Sequence, residues 1–242
     1  MPKASQYMRD YAFEGDIASD LRDRLGYDGP LAEIYAGGLT ELVHKWHHYL
    51  PIYDRYLSAY RDKPLRFLEI GVYKGGSLEM WRRYFGAEAT IFGIDINPEC
   101  AEYDGKAGQV RIGSQADPVF LKDVVQEMGG VDVVLDDGSH KMRHVRKSLE
   151  VLYPMLADDG LYMIEDLQTA YWLKFGGGRY SPLNFFNLLR RVIDDMHHWY
   201  HPGRPRVPGI GAAVEAIHIH NAVAVLEKGP NLKPTHSQVQ AR

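Results

Sequence analysis

Cysteine, long apolar runs and concentrated blocks of positive charge are all scarce in this chain of 242 residues. Its single cysteine, Cys100, excludes an internal disulfide. No apolar run reaches about 18 residues, and residues 1–6 lack the apolar core of a signal peptide, so we expect no membrane partner and a cytoplasmic location. A formal net charge of -4 with dispersed basic residues argues against a nucleic-acid partner.

The length and a hydrophobic content of 45% are sufficient for one α/β domain with a full core. Apolar strand patterns alternate with helical ones, which predicts a doubly wound, Rossmann-like, mostly parallel sheet. The predicted strands are 66–70, 90–95, 109–112, 131–136 and 160–164, and the predicted helices are 76–85, 117–128, 141–156 and 182–200.

Two further alternating segments, 214–219 and 222–226, flank Asn221 and predict an antiparallel hairpin at the far edge of the sheet. Residues 1–60 contain helical patterns at 31–36 and 39–57 and no clear strand. We therefore divide the chain into a helical N-terminal lid or contact segment (1–60), an α/β domain (61–228) and a polar tail (229–242).

Residues 67–77 run from an apolar strand through a glycine-rich turn into a helix, as in a nucleoside-cofactor site. Gly71 and Gly75 allow the backbone to approach a ligand closely, although glycine-rich segments often only form turns. The next strand ends at Asp95, whose carboxylate can accept both hydrogen bonds of a ribose diol.

The composition of this loop indicates which cofactor it suits. Tyr73 stands where a dinucleotide fingerprint requires its second glycine, so close approach of a pyrophosphate is disfavoured. Glu69 adds a carboxylate, which repels phosphate and favours a cationic ligand. S-adenosylmethionine carries a sulfonium and an ammonium group and no phosphate.

Acidic residues follow two later strands, where 136–140 (DDGSH) and the pair Glu165 and Asp166 each close an apolar run. In an open α/β sheet the ligand crevice lies outside the carboxyl ends of the strands, so these residues are candidates for metal and substrate chemistry.

Three motifs together carry a family resemblance: 68–72 (LEIGV), 136–140 (DDGSH) followed by His144, and 164–172 (IEDLQTAYW). Over residues 39–178 the chain resembles class I S-adenosylmethionine-dependent methyltransferases, in the metal-dependent group of macrolide-sugar O-methyltransferases and cephalosporin-hydroxylase-like methyltransferases. The resemblance implies Mg²⁺ ligands at Asp137, Glu165 and Asp166 and a general base at His140.

The chemistry of these residues agrees with that assignment. Methyl transfer is an in-line displacement at an already activated methyl group, so the enzyme must orient the acceptor and manage its proton. Mg²⁺ prefers a few carboxylates together with water or substrate oxygens, and the open positions suit adjacent hydroxyls of a sugar. An imidazole three residues after Asp137 exchanges protons near neutrality, as a base for a hydroxyl must.

Other site residues carry two interpretations. Asp136 either holds its loop or contacts the methionine moiety, and Ser139 suits a helix N-cap. Tyr171 and Trp172 either wall the acceptor pocket or anchor the core. The complete set of cofactor-binding candidates is Glu69, Gly71, Tyr73, Gly75, Ser77, Asp95, Gln115 and Asp136.

The main hypothesis is a Mg²⁺-dependent O-methyltransferase that moves the methyl group of S-adenosylmethionine to a hydroxyl of a small natural product, a glycoside sugar first of all. The alternatives are methylation of a β-lactam or phenolic scaffold, a nicotinamide-dependent oxidoreductase, and a cofactor-binding protein without catalysis. A homo-oligomer is compatible with the resemblance.

Overall fold

The structure, a computed structural model, describes residues 11–207 and 209–240, so the expectation for residues 1–6 lies outside the described residues. Seven strands form one sheet: β1 (Leu65–Ile70), β2 (Ala89–Asp95), β3 (Gln109–Ile112), β4 (Val131–Asp136), β5 (Leu156–Ile164), β6 (Val214–Ile219) and β7 (Ala224–Lys228). Their order is β3-β2-β1-β4-β5-β7-β6. The first five strands pair in parallel, and β7 pairs antiparallel with both β5 and β6. This confirms the predicted sheet and its C-terminal hairpin.

Helices cover both faces of this sheet, and each face has its own apolar core. The α-helices of at least seven residues are α1 (Pro30–Ala36), α2 (Leu50–Leu57), α3 (Gly76–Phe85), α4 (Pro118–Met128), α5 (Met142–Leu152) and α6 (Phe185–Met196). Buried residues of α4, α5 and α6 share one core, and those of α1, α2 and α3 share the other. None of the helices in the described ranges is long and apolar enough to cross a membrane.

The strand register places the ends of four parallel strands in one row. Ile70 of β1 lies beside Ile94 of β2 and Asp136 of β4, and Asp136 lies beside Ile164 of β5. The loops that follow these strands therefore begin at one edge of the sheet. Sequence order reverses between β1 and β4, which is where an open α/β sheet forms its ligand crevice.

The predicted helix over 39–57 is wrong in its first half. Helical structure begins only at His47, as a short 3-10 turn that leads into α2. The segment before it has its backbone bound by distant side chains instead: Glu79 accepts hydrogen bonds from the amides of Thr40 and Glu41, and the Tyr35 hydroxyl bonds the backbone of Lys45. These partners compensate for the helical hydrogen bonds that the segment does not make.

Three other predicted elements have boundaries that differ from the structure. The helix predicted to run to residue 156 ends at Leu152, because a 3-10 turn containing Pro154 follows, and β5 begins at Leu156. The last long helix spans only Phe185–Met196, and its N-cap is Asn184. The second hairpin strand begins at Ala224 rather than 222. The division at residues 60 and 228 stays a prediction, and residues 229–240 contain no helix or strand.

Candidate active site

The loops at the carboxyl edge of the sheet surround a cavity of about 760 Å³. Residues 42–46 of the N-terminal segment form the opposite wall. Of the predicted site residues, those that line the cavity are Gly71, Tyr73, Ser77, Asp95, Gln115, Asp137, His140, Glu165, Asp166 and Trp172. Four others do not line it, namely Glu69, Gly75, Asp136 and Tyr171.

The loop after β1 is fitted against the loop after β4. Gly71 has a φ of +103°, and a Cβ atom there would lie 2.3 Å from the carbonyl oxygen of Asp137. Only glycine allows both that backbone conformation and that approach. Asp95, at the end of β2, accepts hydrogen bonds from the amides of Val72 and Tyr73 and thereby holds the same loop at the cavity wall.

Glu69 lies beneath this loop rather than beside the cavity. Its carboxylate is fully buried and accepts hydrogen bonds from Ser77 Oγ at 2.6 Å and Trp81 Nε1 at 3.2 Å. Burial raises the pKa of Glu69 to about 7, against the opposing effect of Lys45. Sequence reasoning placed Glu69 beside the ligand. In the structure it instead supports the first turns of α3.

Asp136 is also buried, and its surroundings favour the loop-holding interpretation. It accepts hydrogen bonds from Gln115 Nε2, Ser148 Oγ and Tyr162 Oη at 3.0, 2.5 and 3.2 Å. Burial raises its pKa, and these donors oppose the rise. Gln115 in turn accepts a hydrogen bond from the amide of Ser139, so it joins the loops after β3 and β4 at the cavity floor.

The predicted N-cap role of Ser139 is wrong. Lys141 holds the N-cap position of α5 and makes no side-chain cap. Ser139 Oγ instead lies 3.0 Å from His144 Nδ1, one turn into the helix. Burial lowers the pKa of His144, which favours a neutral ring at this contact.

Asp137, His140 and Asp166 come together as a group that could hold a metal ion, with one ligand atom of each within 4.8 Å of the others. His140 Nε2 lies 3.9 Å from Asp137 Oδ1 and 3.7 Å from Asp166 Oδ2. His140 and Asp166 both have a φ of +54°, which is uncommon for residues other than glycine. Such conformations cost about 1–3 kcal/mol each and cluster at functional sites.

Asp137 and Asp166 each have one carboxylate oxygen near His140, and side chains of the N-terminal segment bind the other oxygen. Asp137 Oδ2 accepts a hydrogen bond from Lys45 Nζ at 2.6 Å. Asp166 Oδ1 accepts from Trp46 Nε1 at 3.1 Å and from the Tyr49 hydroxyl at 2.9 Å. Each carboxylate is therefore oriented by one oxygen and presents the other toward His140.

Glu165, the third predicted ligand, contacts Lys45 instead of joining that group. Both of its carboxylate oxygens lie 3.1 Å from Lys45 Nζ. Burial lowers the pKa of Lys45, but Asp137, Glu165 and Glu69 more than offset this and raise it well above its ordinary value. Burial and the Asp137 carboxylate likewise raise the pKa of Glu165.

The donor set fits a hard divalent cation. Asp137 and Asp166 each turn one carboxylate oxygen toward the same part of the cavity, and Glu165 shares the Lys45 ammonium with Asp137. Mg²⁺ prefers carboxylate oxygens with water or substrate completing its shell. Asp137 Oδ1 and Asp166 Oδ2 are oriented for this role, and Glu165 joins them if Lys45 releases it.

Sequence reasoning missed Lys45 as a site residue. Trp46 and Tyr49 belong to an aromatic group in the predicted lid that suited either a cover for the cofactor or core packing, and the predicted helix over 39–57 hid which side chains reach the sheet. Gln168 was missed as well; it lines the cavity, and its Oε1 is buried without a hydrogen-bond partner in the described part of the chain. A buried acceptor in this position suits a ligand hydroxyl or amine.

The two predicted acceptor residues differ in placement. Trp172 lines the cavity together with Lys174 and Phe175. Tyr171 is 55% exposed and packs against Phe186 with ring centroids 5.8 Å apart, outside the cavity lining.

The chain is similar to known methyltransferases in sequence and in fold. Residues 68–167 match the family described as "Methyltransferase domain". The chain is 36% identical to an 8-demethyl-8-(2-methoxy-alpha-L-rhamnosyl)-tetracenomycin-C 3'-O-methyltransferase of Streptomyces olivaceus, over 86% of this chain and 56% of that protein. It is 38% identical to a mycinamicin VI 2''-O-methyltransferase of Micromonospora griseorubida, over 83% of this chain and 53% of that protein.

A solved structure is similar over the same region. It is the MycE methyltransferase from the mycinamycin biosynthetic pathway in complex with Mg, SAH and mycinamycin VI. The TM-score is 0.71 at 33% identity, covering 90% of this chain and 54% of that chain. The chain thus spans about half the length of the relatives that it matches.

Proposed function

Because residues 68–167 match the methyltransferase-domain family, we propose that this chain is a Mg²⁺-dependent O-methyltransferase that uses S-adenosylmethionine. Its proposed acceptor is a hydroxyl on the sugar of a small-molecule glycoside. The observation that carries the proposal is the grouping of Asp137, His140 and Asp166 beside the glycine-rich loop, in one cavity. Similarity to sugar O-methyltransferases supports the class of acceptor.

The residues of the cavity divide into a cofactor side and an acceptor side. Tyr73, Asp95 and Gln115 line the part formed by the loops after β1, β2 and β3 and would bind the cofactor. Trp172 and Phe175 line the part next to His140, where an aromatic surface suits the apolar face of a sugar ring.

The reaction requires one proton transfer that this chain can supply. As the acceptor oxygen forms its bond to the methyl carbon and the carbon–sulfur bond breaks, His140 Nε2 takes the proton of the hydroxyl. Asp137 Oδ1 and Asp166 Oδ2, at 3.9 and 3.7 Å, would stabilise the imidazolium that results. When bound, Mg²⁺ would orient adjacent hydroxyls of the acceptor and make the reacting one more acidic.

The first test is calorimetric titration of the purified protein with S-adenosylhomocysteine, in Mg²⁺ and in EDTA, followed by a methyl-transfer screen. Binding in both buffers and methylation of glycosides only with metal would support the proposal. Products from catechols or cephems instead would favour the phenolic or β-lactam alternative. Binding of NAD in place of S-adenosylhomocysteine would overturn the methyltransferase proposal. The cytoplasmic location and the homo-oligomer stay predictions.

A further inference from the structure

Lys45 is the one lysine among the described residues that is fully enclosed by acidic side chains. Its side chain is 2% exposed, and its Nζ lies 2.6 Å from Asp137, 3.1 Å from Glu165 and 3.8 Å from Glu69. Lysine is almost never fully buried unless it is paired, and here one ammonium faces three carboxylates. The cluster therefore holds three carboxyl groups for one ammonium.

The backbone of Lys45 is anchored separately from its side chain. The Tyr35 hydroxyl donates to the Lys45 carbonyl and accepts from its amide, both at 3.2 Å. The ammonium also lies 5.8 Å from the ring centroid of Tyr53. Lys45 lines the cavity, and its side chain has four rotatable bonds, so withdrawal of the ammonium from the carboxylates requires rotation of the side chain and no change in these backbone hydrogen bonds.

Two cations cannot share this position. Lys45 Nζ contacts both oxygens of Glu165, the third carboxylate of the proposed metal site, and the Oδ2 atom of Asp137, whose Oδ1 faces the cavity. A divalent ion on those same carboxylates would lie within a few ångströms of the ammonium, and like charges at that separation repel strongly in a buried site.

We propose that Lys45 is a built-in counter-ion that competes with Mg²⁺ for Asp137 and Glu165. In the metal-free protein the ammonium neutralises the buried carboxylates and keeps the site folded. On metal binding it withdraws, so part of the intrinsic affinity for Mg²⁺ is used to displace it. This inference rests on the metal site of the proposed function and makes Lys45 a positioning residue rather than a catalytic one.

The test is the metal affinity of Lys45→Met, measured by calorimetry without cofactor or acceptor, together with Tm in EDTA and in saturating Mg²⁺. We expect Mg²⁺ to bind at least about 10-fold more tightly than to the wild type, because the competing charge is gone. We also expect a lower Tm than the wild type in EDTA and a larger rise on adding Mg²⁺, because the carboxylates are then unpaired.

Three further variants make the result specific. Lys45→Arg keeps the charge and should retain an affinity near that of the wild type. Lys45→Gln keeps a hydrogen-bond donor without charge and replaces the methionine variant if that one fails to fold. Lys106→Met removes an exposed lysine paired with Glu41 at 2.9 Å and should leave both Mg²⁺ affinity and Tm shift unchanged.

Equal or weaker Mg²⁺ binding by both uncharged Lys45 variants would overturn the inference, since it would mean that Lys45 assists metal binding or has no part in it. A wild type that binds S-adenosylhomocysteine and Mg²⁺ normally alongside that result would leave the proposed function intact. A wild type that binds no divalent cation would contradict the proposed metal site and this inference together.

Discussion

Asp137 divides its two carboxylate oxygens between the protein and the cavity. Oδ2 accepts from Lys45, while Oδ1 lies on the side of His140. Asp137→Asn keeps the shape of the side chain but removes the charge that a cation requires. We expect metal-dependent turnover to fall by at least about 10²-fold while S-adenosylhomocysteine still binds, and steady-state kinetics with calorimetry measure both.

The matched control is Asp158→Asn, which removes a fully exposed carboxylate from the opposite end of β5. It should leave turnover unchanged. Wild-type turnover in Asp137→Asn at limiting Mg²⁺ would contradict the metal assignment.

His140 lies between Asp137 and Asp166, with its Nε2 atom 3.9 and 3.7 Å from their carboxylate oxygens. His140→Ala should lower kcat by about 10²–10⁴-fold, because the acceptor hydroxyl then loses its proton only to solvent. The loss should shrink as pH rises, since hydroxide becomes available as the base. A pH profile of kcat measures this, and His218→Gln on β6 is the control histidine. If His140→Ala retains the wild-type rate, the base lies elsewhere.

The loop between β1 and α3 packs closely against the loop after β4, where Gly71 approaches the backbone of Asp137. In Gly71→Ala the added Cβ would meet the Asp137 carbonyl oxygen at 2.3 Å, in a backbone conformation that alanine rarely adopts. We expect a loss of about 1–3 kcal/mol in the free energy of unfolding and weaker binding of S-adenosylhomocysteine. Urea unfolding and calorimetry measure the two effects.

Gly26→Ala separates the cost of the backbone conformation from the effect of the contact between the two loops. Gly26 also has a positive φ, +63°, but no atom of the described residues lies within 4 Å of its added Cβ. It should carry the conformational cost alone and leave cofactor affinity unchanged. Equal behaviour of the two variants would show that the contact between the loops is unimportant.

The central elements could be predicted because local signals and tertiary packing agree in them. Four of the five parallel strands, β1, β2, β4 and β5, contain an apolar run that ends in turn residues, and the fifth, β3, alternates polar and apolar residues. The segment 39–46 could not be predicted in this way. Its conformation is set by Glu79, which lies 39 residues from Thr40, and such a long-range partner leaves no local pattern.

At the scale of the whole molecule, the site also combines residues with a local sequence signal and residues whose partners are distant in the chain. Asp137, Glu165 and Asp166 could be predicted because parallel topology brings the ends of β4 and β5 to one edge. Lys45 could not, because it is 92 residues from Asp137 and 120 from Glu165. The burial of Glu69 and Asp136 could not be predicted either. The sequence pattern around a carboxylate near the end of a strand is the same whether the side chain faces a ligand or a neighbouring helix.

The cavity wall therefore has two parts that meet only in the folded molecule, the sheet loops and residues 42–46. A ligand that contacts both should slow local opening of both, by about 10²-fold at 100 times its Kd. Hydrogen exchange with saturating S-adenosylhomocysteine should thus protect amides of residues 42–46 and of the loop after β1 together. The hairpin β6–β7 serves as the internal control and should exchange unchanged. Protection of the sheet loops alone would mean that the N-terminal segment does not cover the cofactor, and equal protection by NAD would favour the oxidoreductase alternative.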